Sequence, residues 1–169
     1  MRDDHWEFWR SVITETAAQV LSHYGMELCN PADWTPILGD GDHVVGSVYF
    51  GGSQVRGGLT LCAPRELLDT ANPTNIPVPL ADFAREIANQ ILGGVKARIA
   101  SYEIEFSYQF SDPASRNPGL PVTETRTLVL RSKTGEIALM FAVASDLELE
   151  LANYQPSRDL PSLGKVILF

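Results

Sequence analysis

Between residues 80 and 100 the chain sets Phe83, Ile87, Ile91, Val95 and Ile99 at four-residue steps, with Ala84, Ala88 and Leu92 widening the row. Only an α-helix, at 3.6 residues per turn, gathers such a row onto one side. A stripe that wide must be buried, so the rest of the chain has to supply a core for it to lie on. The opposite side carries Asp82, Glu86, Asn89, Gly93 and Lys96, at steps of four, three, four and three. One face thus anchors the helix while the other holds out a carboxylate and an amide one turn apart. Neither group is a strong nucleophile, but together they can grip a cation and orient a water molecule. On periodicity alone such a polar face is first of all a solvated surface. The adjacent Gly93 and Gly94 cost a helix about 2 kcal/mol relative to alanine, which predicts a local distortion there.

The remaining segments show what such a helix can pack against. Residues 4–24 read as a second amphipathic helix, with Trp6, Trp9, Ile13, Ala17, Val20 and Tyr24 at steps of three and four and Gly25 as its stop. Aromatics on that period are core anchors rather than a ligand cage. Residues 26–43 contain Pro31, Pro36, Gly39 and Gly41 and read as a turn-rich connector. Residues 44–50 and 55–62 flank Gly51-Gly52-Ser53-Gln54 as a hairpin, and Pro64 opens a short helix to about residue 70 at a first-turn position. A loop at 72–77 precedes the two-faced helix. A strand at 103–110, a Pro/Gly-rich loop at 112–121 and a second hairpin, 123–132 with 136–144, follow it. This order predicts an α+β fold, a largely antiparallel sheet with two long helices packed against it. Residues 1–169 are expected to form a single domain, with 155–169 an irregular tail whose apolar end, Val166 to Phe169, docks on the domain or a partner.

Composition removes several classes of function. The net charge of −8 argues against nucleic acid as a main partner, because phosphate binding rests on Lys and Arg. No stretch approaches the length of an apolar membrane span, and Arg2, Asp3, Asp4 and His5 leave no room for a signal core, so a cytoplasmic protein is expected. Cys29 and Cys62 form neither a disulfide framework nor a Cys-x-x-Cys pair. His5, His23 and His43 lack metal-ligand spacing. Gly39-Asp40-Gly41-Asp42 lacks the register of a calcium loop. Gly51-Gly52-Ser53 is no nucleophile elbow, and Gly57-Gly58 has no following Lys-Ser/Thr to make a P-loop. Within a strand, Gly57-Gly58 marks a bulge or a close backbone approach.

The helical stripe also resembles a known signature. Asp82, Glu86 and Asn89, with Pro113 downstream and the small residue Gly93, are similar to the motif of the CheC/CheX/FliY family of chemotaxis phosphatases. The glycine-rich strand–turn–strand at 44–61 is similar to the segment that precedes that motif. The resemblance covers about residues 40–145. Pro113 lies one residue further from Asn89 than the usual spacing, and Gln90-Ile91-Leu92 stands where small residues are commoner. The resemblance implies a CheX-like phosphatase that hydrolyses the aspartyl phosphate of a CheY-type receiver domain. In that reading Asn89 orients the attacking water and Glu86 pairs with the receiver's Lys, with Asp82 and Gly93 in support. General-base work by Glu86 is the rival role, but an exposed carboxylate is a weak base at neutral pH, which favours docking. No cofactor of the chain's own is implied, since the receiver supplies Mg²⁺. A homodimer is expected as well. The alternative is a non-catalytic module on the same scaffold that binds a receiver or itself. Ser11, Glu15 and Ala18 repeat the spacing with Ala at the Asn position, which suggests an internal duplication with a vestigial first site.

Overall fold

The two long helices and the two hairpins assemble on one antiparallel sheet. The computed structural model describes residues 3–34, 42–51, 55–72, 78–100, 107–109, 125–132 and 135–145. In chain order these form α1 (Asp3–His23), β1 (Leu28–Trp34), β2 (His43–Gly51), β3 (Val55–Pro64), α2 (Arg65–Ala71), α3 (Leu80–Ile99), β4 (Ser107–Gln109), β5 (Thr125–Ser132) and β6 (Gly135–Ser145). Pro113, the 112–121 loop and the 155–169 tail lie outside the described residues, as do residues 35–41 and 101–106.

The sheet has six strands in the order β1-β5-β6-β3-β2-β4, and every neighbouring pair is antiparallel. That order reads the same when α1-β1-β2-β3 is exchanged for α3-β4-β5-β6. The two halves of the chain are therefore topological repeats joined at the β3–β6 pair, as the matching helix spacings suggest. The first hairpin runs in unbroken register from His43 opposite Pro64 to Gly51 opposite Arg56. The second runs from Thr125 opposite Ala142 to Ser132 opposite Gly135.

Strand alternation sends Val44, Val48 and Phe50 of β2 to the helical side, with Leu59 and Leu61 of β3 and Leu139, Phe141 and Val143 of β6. There they meet the apolar stripes of both long helices in one core. Trp6 and Trp9 are fully buried in it, and both rings lie against Phe141, which stacks on Phe50 at 5.9 Å. The far side of the sheet carries a small second cluster of Cys62, Val129 and Ala138. Burial pushes the Cys62 thiol above its ordinary pKa.

Two expectations need correction. The segment read as a connector contains a strand, β1, which pairs with the edge of β5. Its register shifts between Leu28 and Asn30 and again between Asn30 and Asp33, so its pairing does not keep a clean two-residue period. Pro64 ends β3 and caps α2 instead of sitting inside its first turn. As expected, α3 is one helix, and it runs through Gly93 and Gly94 without a break.

The reason is packing. A Cβ on Gly94 would collide with the Cγ2 methyl of Thr16 on α1. The two helices therefore cross at a point where only hydrogen fits. Gly46 plays the same part for the sheet, because a Cβ there would strike the Ala84–Arg85 backbone. The start of α3 thus rests directly on β2, whereas α1 stands on its layer of aromatic rings. Gly57 makes the close approach expected of it, facing the Ala142 carbonyl across an unbroken β3–β6 register with no bulge. Gly25, at φ +74°, closes the turn that ends α1.

Candidate functional site

With its apolar stripe fixed on β2 and α1, α3 can turn only one face outward. Phe83, Ala84, Ile87, Ala88, Ile91, Leu92, Val95 and Ile99 are buried. Glu86 is exposed, and Asp82, Asn89 and Gly93 are half-buried. The four residues singled out in the sequence do share this face. Gly93 adds no side chain beside Asn89, which leaves the surface low on that side. Asp82 lies in the first turn, where a carboxylate offsets the partial positive charge of the helix N-terminus. It also pairs with Arg85 at 2.9 Å, and both side chains are about half exposed.

Glu86 has a neighbour that pattern reading missed. The Gln90 amide nitrogen donates to Glu86 Oε1 at 3.0 Å and to the Tyr24 hydroxyl oxygen at 2.8 Å. Tyr24 comes from the turn just beyond α1, and its ring meets Phe83 edge-on at 5.3 Å. Burial raises the Tyr24 phenol above its ordinary pKa near 10; the Gln90 hydrogen bond partly opposes this and the Glu86 charge adds to it. Among the described residues, no side chain hydrogen-bonds to Asn89, which is half-buried.

The matching face of α1 is occupied. Arg98 of α3 donates to Glu15 Oε2 at 2.6 Å and to Gln19 Oε1 at 3.2 Å, and Ser11 donates to Glu15 Oε1 at 3.4 Å. Only 10% of the Arg98 side chain is exposed, so this pair is an inter-helix clamp. Ala18 stands where α3 has its amide. In the fold, Glu15 of the repeated spacing serves a packing contact with α3.

Gln90 stood out in the sequence only as a departure from the family's small residues, and Arg98 did not stand out. Glu86 is a helical neighbour of Gln90, but their other partners, Tyr24 and Glu15, lie 66 and 83 residues away, and no local pattern signals those. Among the described residues, no group of three His, Cys, Asp or Glu side chains converges to hold a metal ion, and no helix is long and apolar enough to cross a membrane.

Chemically, then, the α3 face offers the exposed Glu86 carboxylate with a hydrogen-bond donor behind it and, a turn away, an Asn89 amide that no described side chain engages. No protein-family model matches the sequence, and no curated protein matches it significantly. Solved structures do. A CheC-like superfamily protein from Shewanella sp. PV-4 superposes with a TM-score of 0.59 at 18% identity, over 80% of this chain and 96% of the other. The chemotaxis protein CheX from Vibrio vulnificus gives 0.60 at 16% identity, over 79% and 97%. A chain of the CheX–CheY–BeF3–Mg²⁺ complex from Borrelia burgdorferi gives 0.55 at 16% identity, over 80% and 97%. The chain has the fold of the CheC-like and CheX chemotaxis proteins.

Proposed function

We propose that this protein is a phosphatase of the CheX type, hydrolysing the aspartyl phosphate of a CheY-type receiver domain in chemotaxis or a related two-component pathway. The observation that carries the reading is the pairing, on the outward face of α3, of an exposed Glu86 with an Asn89 that no described side chain engages. The likeness in fold to a protein solved in complex with CheY supports it.

The chemistry asked of the chain is modest. An acyl phosphate is already labile, and in phosphoryl transfer a protein mainly positions groups and stabilises charge. Asn89 accepts a hydrogen bond from the attacking water through its amide oxygen and donates through its nitrogen, holding the water in line with the breaking P–O bond. Glu86 accepts from the receiver's Lys, a charge-assisted bond that docks α3 and sets the reach of Asn89. The receiver brings the Mg²⁺ that neutralises the phosphoryl oxygens. Asp82, paired with Arg85, and Gly93, which keeps the surface beside Asn89 clear, support the site without entering the reaction.

One site per chain follows from Ala18 and the engaged Glu15. A cytoplasmic location belongs to the same proposal, because receivers of this kind are phosphorylated there. The test is phosphate release from a panel of phosphorylated receivers of the same source. Acceleration by the wild-type protein supports the reading, and binding without acceleration supports the non-catalytic module instead.

A further inference from the structure

We propose that Tyr24 and Gln90 are positioning residues that hold the Glu86 carboxylate in its docking orientation before a partner arrives; the purpose of that tether rests on the phosphatase reading above. A carboxylate can only accept hydrogen bonds, so the side of Gln90 that faces Glu86 must be its nitrogen. That nitrogen carries two hydrogens, and the geometry uses both: 3.0 Å to Glu86 Oε1 and 2.8 Å to the Tyr24 hydroxyl oxygen. The amide therefore cannot flip without losing its bond to Glu86.

Tyr24 is itself well fixed. Its backbone N–H donates to the Leu21 carbonyl, and the neighbouring Gly25 and Met26 N–H groups close the same turn. Its ring sits edge-on to Phe83 at 5.3 Å and to His23 at 5.5 Å. Glu86 is thus tied through Gln90 to the end of α1, although its own side chain stands in solvent. An exposed glutamate otherwise samples several rotamers, and ordering one such side chain on binding costs affinity. The tether engages Oε1, leaving Oε2 to meet a cationic donor from the partner.

Two variants test this. Gln90→Leu keeps much of the side chain's bulk and removes the amide. Tyr24→Phe keeps the ring on Phe83 and removes the acceptor. The first readout is the set of three-bond scalar couplings of Glu86 by NMR in the free protein, which report whether one rotamer or several are populated. The second is Kd for receivers loaded with beryllofluoride and Mg²⁺, beside KM and kcat for their phosphorylated forms. The expected result is one Glu86 rotamer in wild type and averaging in both variants. Kd and KM should rise about three- to tenfold while kcat stays within about twofold, because Asn89 is untouched.

Averaged Glu86 couplings in wild type would overturn the proposal, and so would unchanged couplings in both variants. A fall in kcat at constant KM would overturn it as well, since that would place the pair in the chemical step. If wild-type couplings are fixed and lost in the variants, yet no receiver binds or loses phosphate, the phosphatase reading fails and the tether stands.

Discussion

The crossing of α1 and α3 yields the sharpest prediction about stability. Placing a methyl at position 94 has two opposed effects. Replacing a mid-helix glycine by alanine gains about 1 kcal/mol from propensity alone. Against that, the new Cβ would overlap the Cγ2 methyl of Thr16, which is fully buried. Thr16 cannot simply rotate out of the way, because its hydroxyl donates to the Val12 carbonyl at 2.7 Å and fixes its rotamer. Overpacking of this kind costs about 1–3 kcal/mol, so Gly94→Ala should be a net loss of about 1 kcal/mol. Thr16→Ser removes the offending methyl and keeps the hydroxyl. The nearest side-chain atoms left at position 16 are then 3.6 and 3.8 Å from the new methyl, ordinary contact distances. In the Thr16→Ser background, Gly94→Ala should therefore stabilise by about 1 kcal/mol, giving a coupling of about 2 kcal/mol between the two positions. Urea unfolding of all four proteins measures it, at a constant m-value. Additivity within about 0.5 kcal/mol, or a stabilising Gly94→Ala in the wild-type background, would refute the crossing described above.

Further outcomes follow from the same contacts. Glu15→Gln weakens the clamp to Arg98 and should cost about 1–2 kcal/mol in denaturant unfolding, with dephosphorylation unchanged; a loss of turnover would mean that the first motif is a working site. Gly46→Ala sets side chain against backbone, so it should destabilise by about 3 kcal/mol and lower activity by moving α3. The raised Tyr24 pKa means that the folded phenol holds its proton where the unfolded one has lost it. Its contribution is present below the ordinary value near 10 and is lost as pH rises through the higher folded value, so stability should fall in alkali and Tyr24→Phe should flatten that fall. Among the described residues the sheet ends in β1 on one side and β4 on the other, and pairing of an edge between two copies should appear as a dimer in light scattering; a monomer at high concentration would count against it.

Much of this architecture was legible because it is written in local periods. Both long helices follow from apolar residues at steps of three and four, and both hairpins from alternating apolar runs broken by glycine. β1 was not legible, because Pro31 and two register shifts obscure a strand period along an edge. The role of Gly94 was not legible either, for a related reason. Propensity counts what glycine costs a helix, whereas the fold uses Gly94 for a contact with Thr16, on a helix far earlier in the chain. At the candidate site, the shared face of Asp82, Glu86, Asn89 and Gly93 is a property of one helix, and the sequence carries it. The Gln90–Tyr24 bond and the Glu15–Arg98 clamp exist only once the two halves of the chain are packed together. Polar pairs this far apart in sequence have no local signature, so they are seen only in the fold.

The central claim is that Asn89 does chemistry on a phosphorylated receiver that Glu86 has docked. Single-turnover dephosphorylation by wild type, Asn89→Ala, Glu86→Ala and Asp82→Ala, each with a binding titration, tests it directly. Asn89→Ala should bind the beryllofluoride-loaded receiver nearly as well as wild type and lose about two orders of magnitude in rate. Glu86→Ala, losing a contact worth about 1.5–3 kcal/mol, should lose affinity and kcat/KM together, and Asp82→Ala should change little. Equal dephosphorylation rates for wild type and Asn89→Ala would contradict the account.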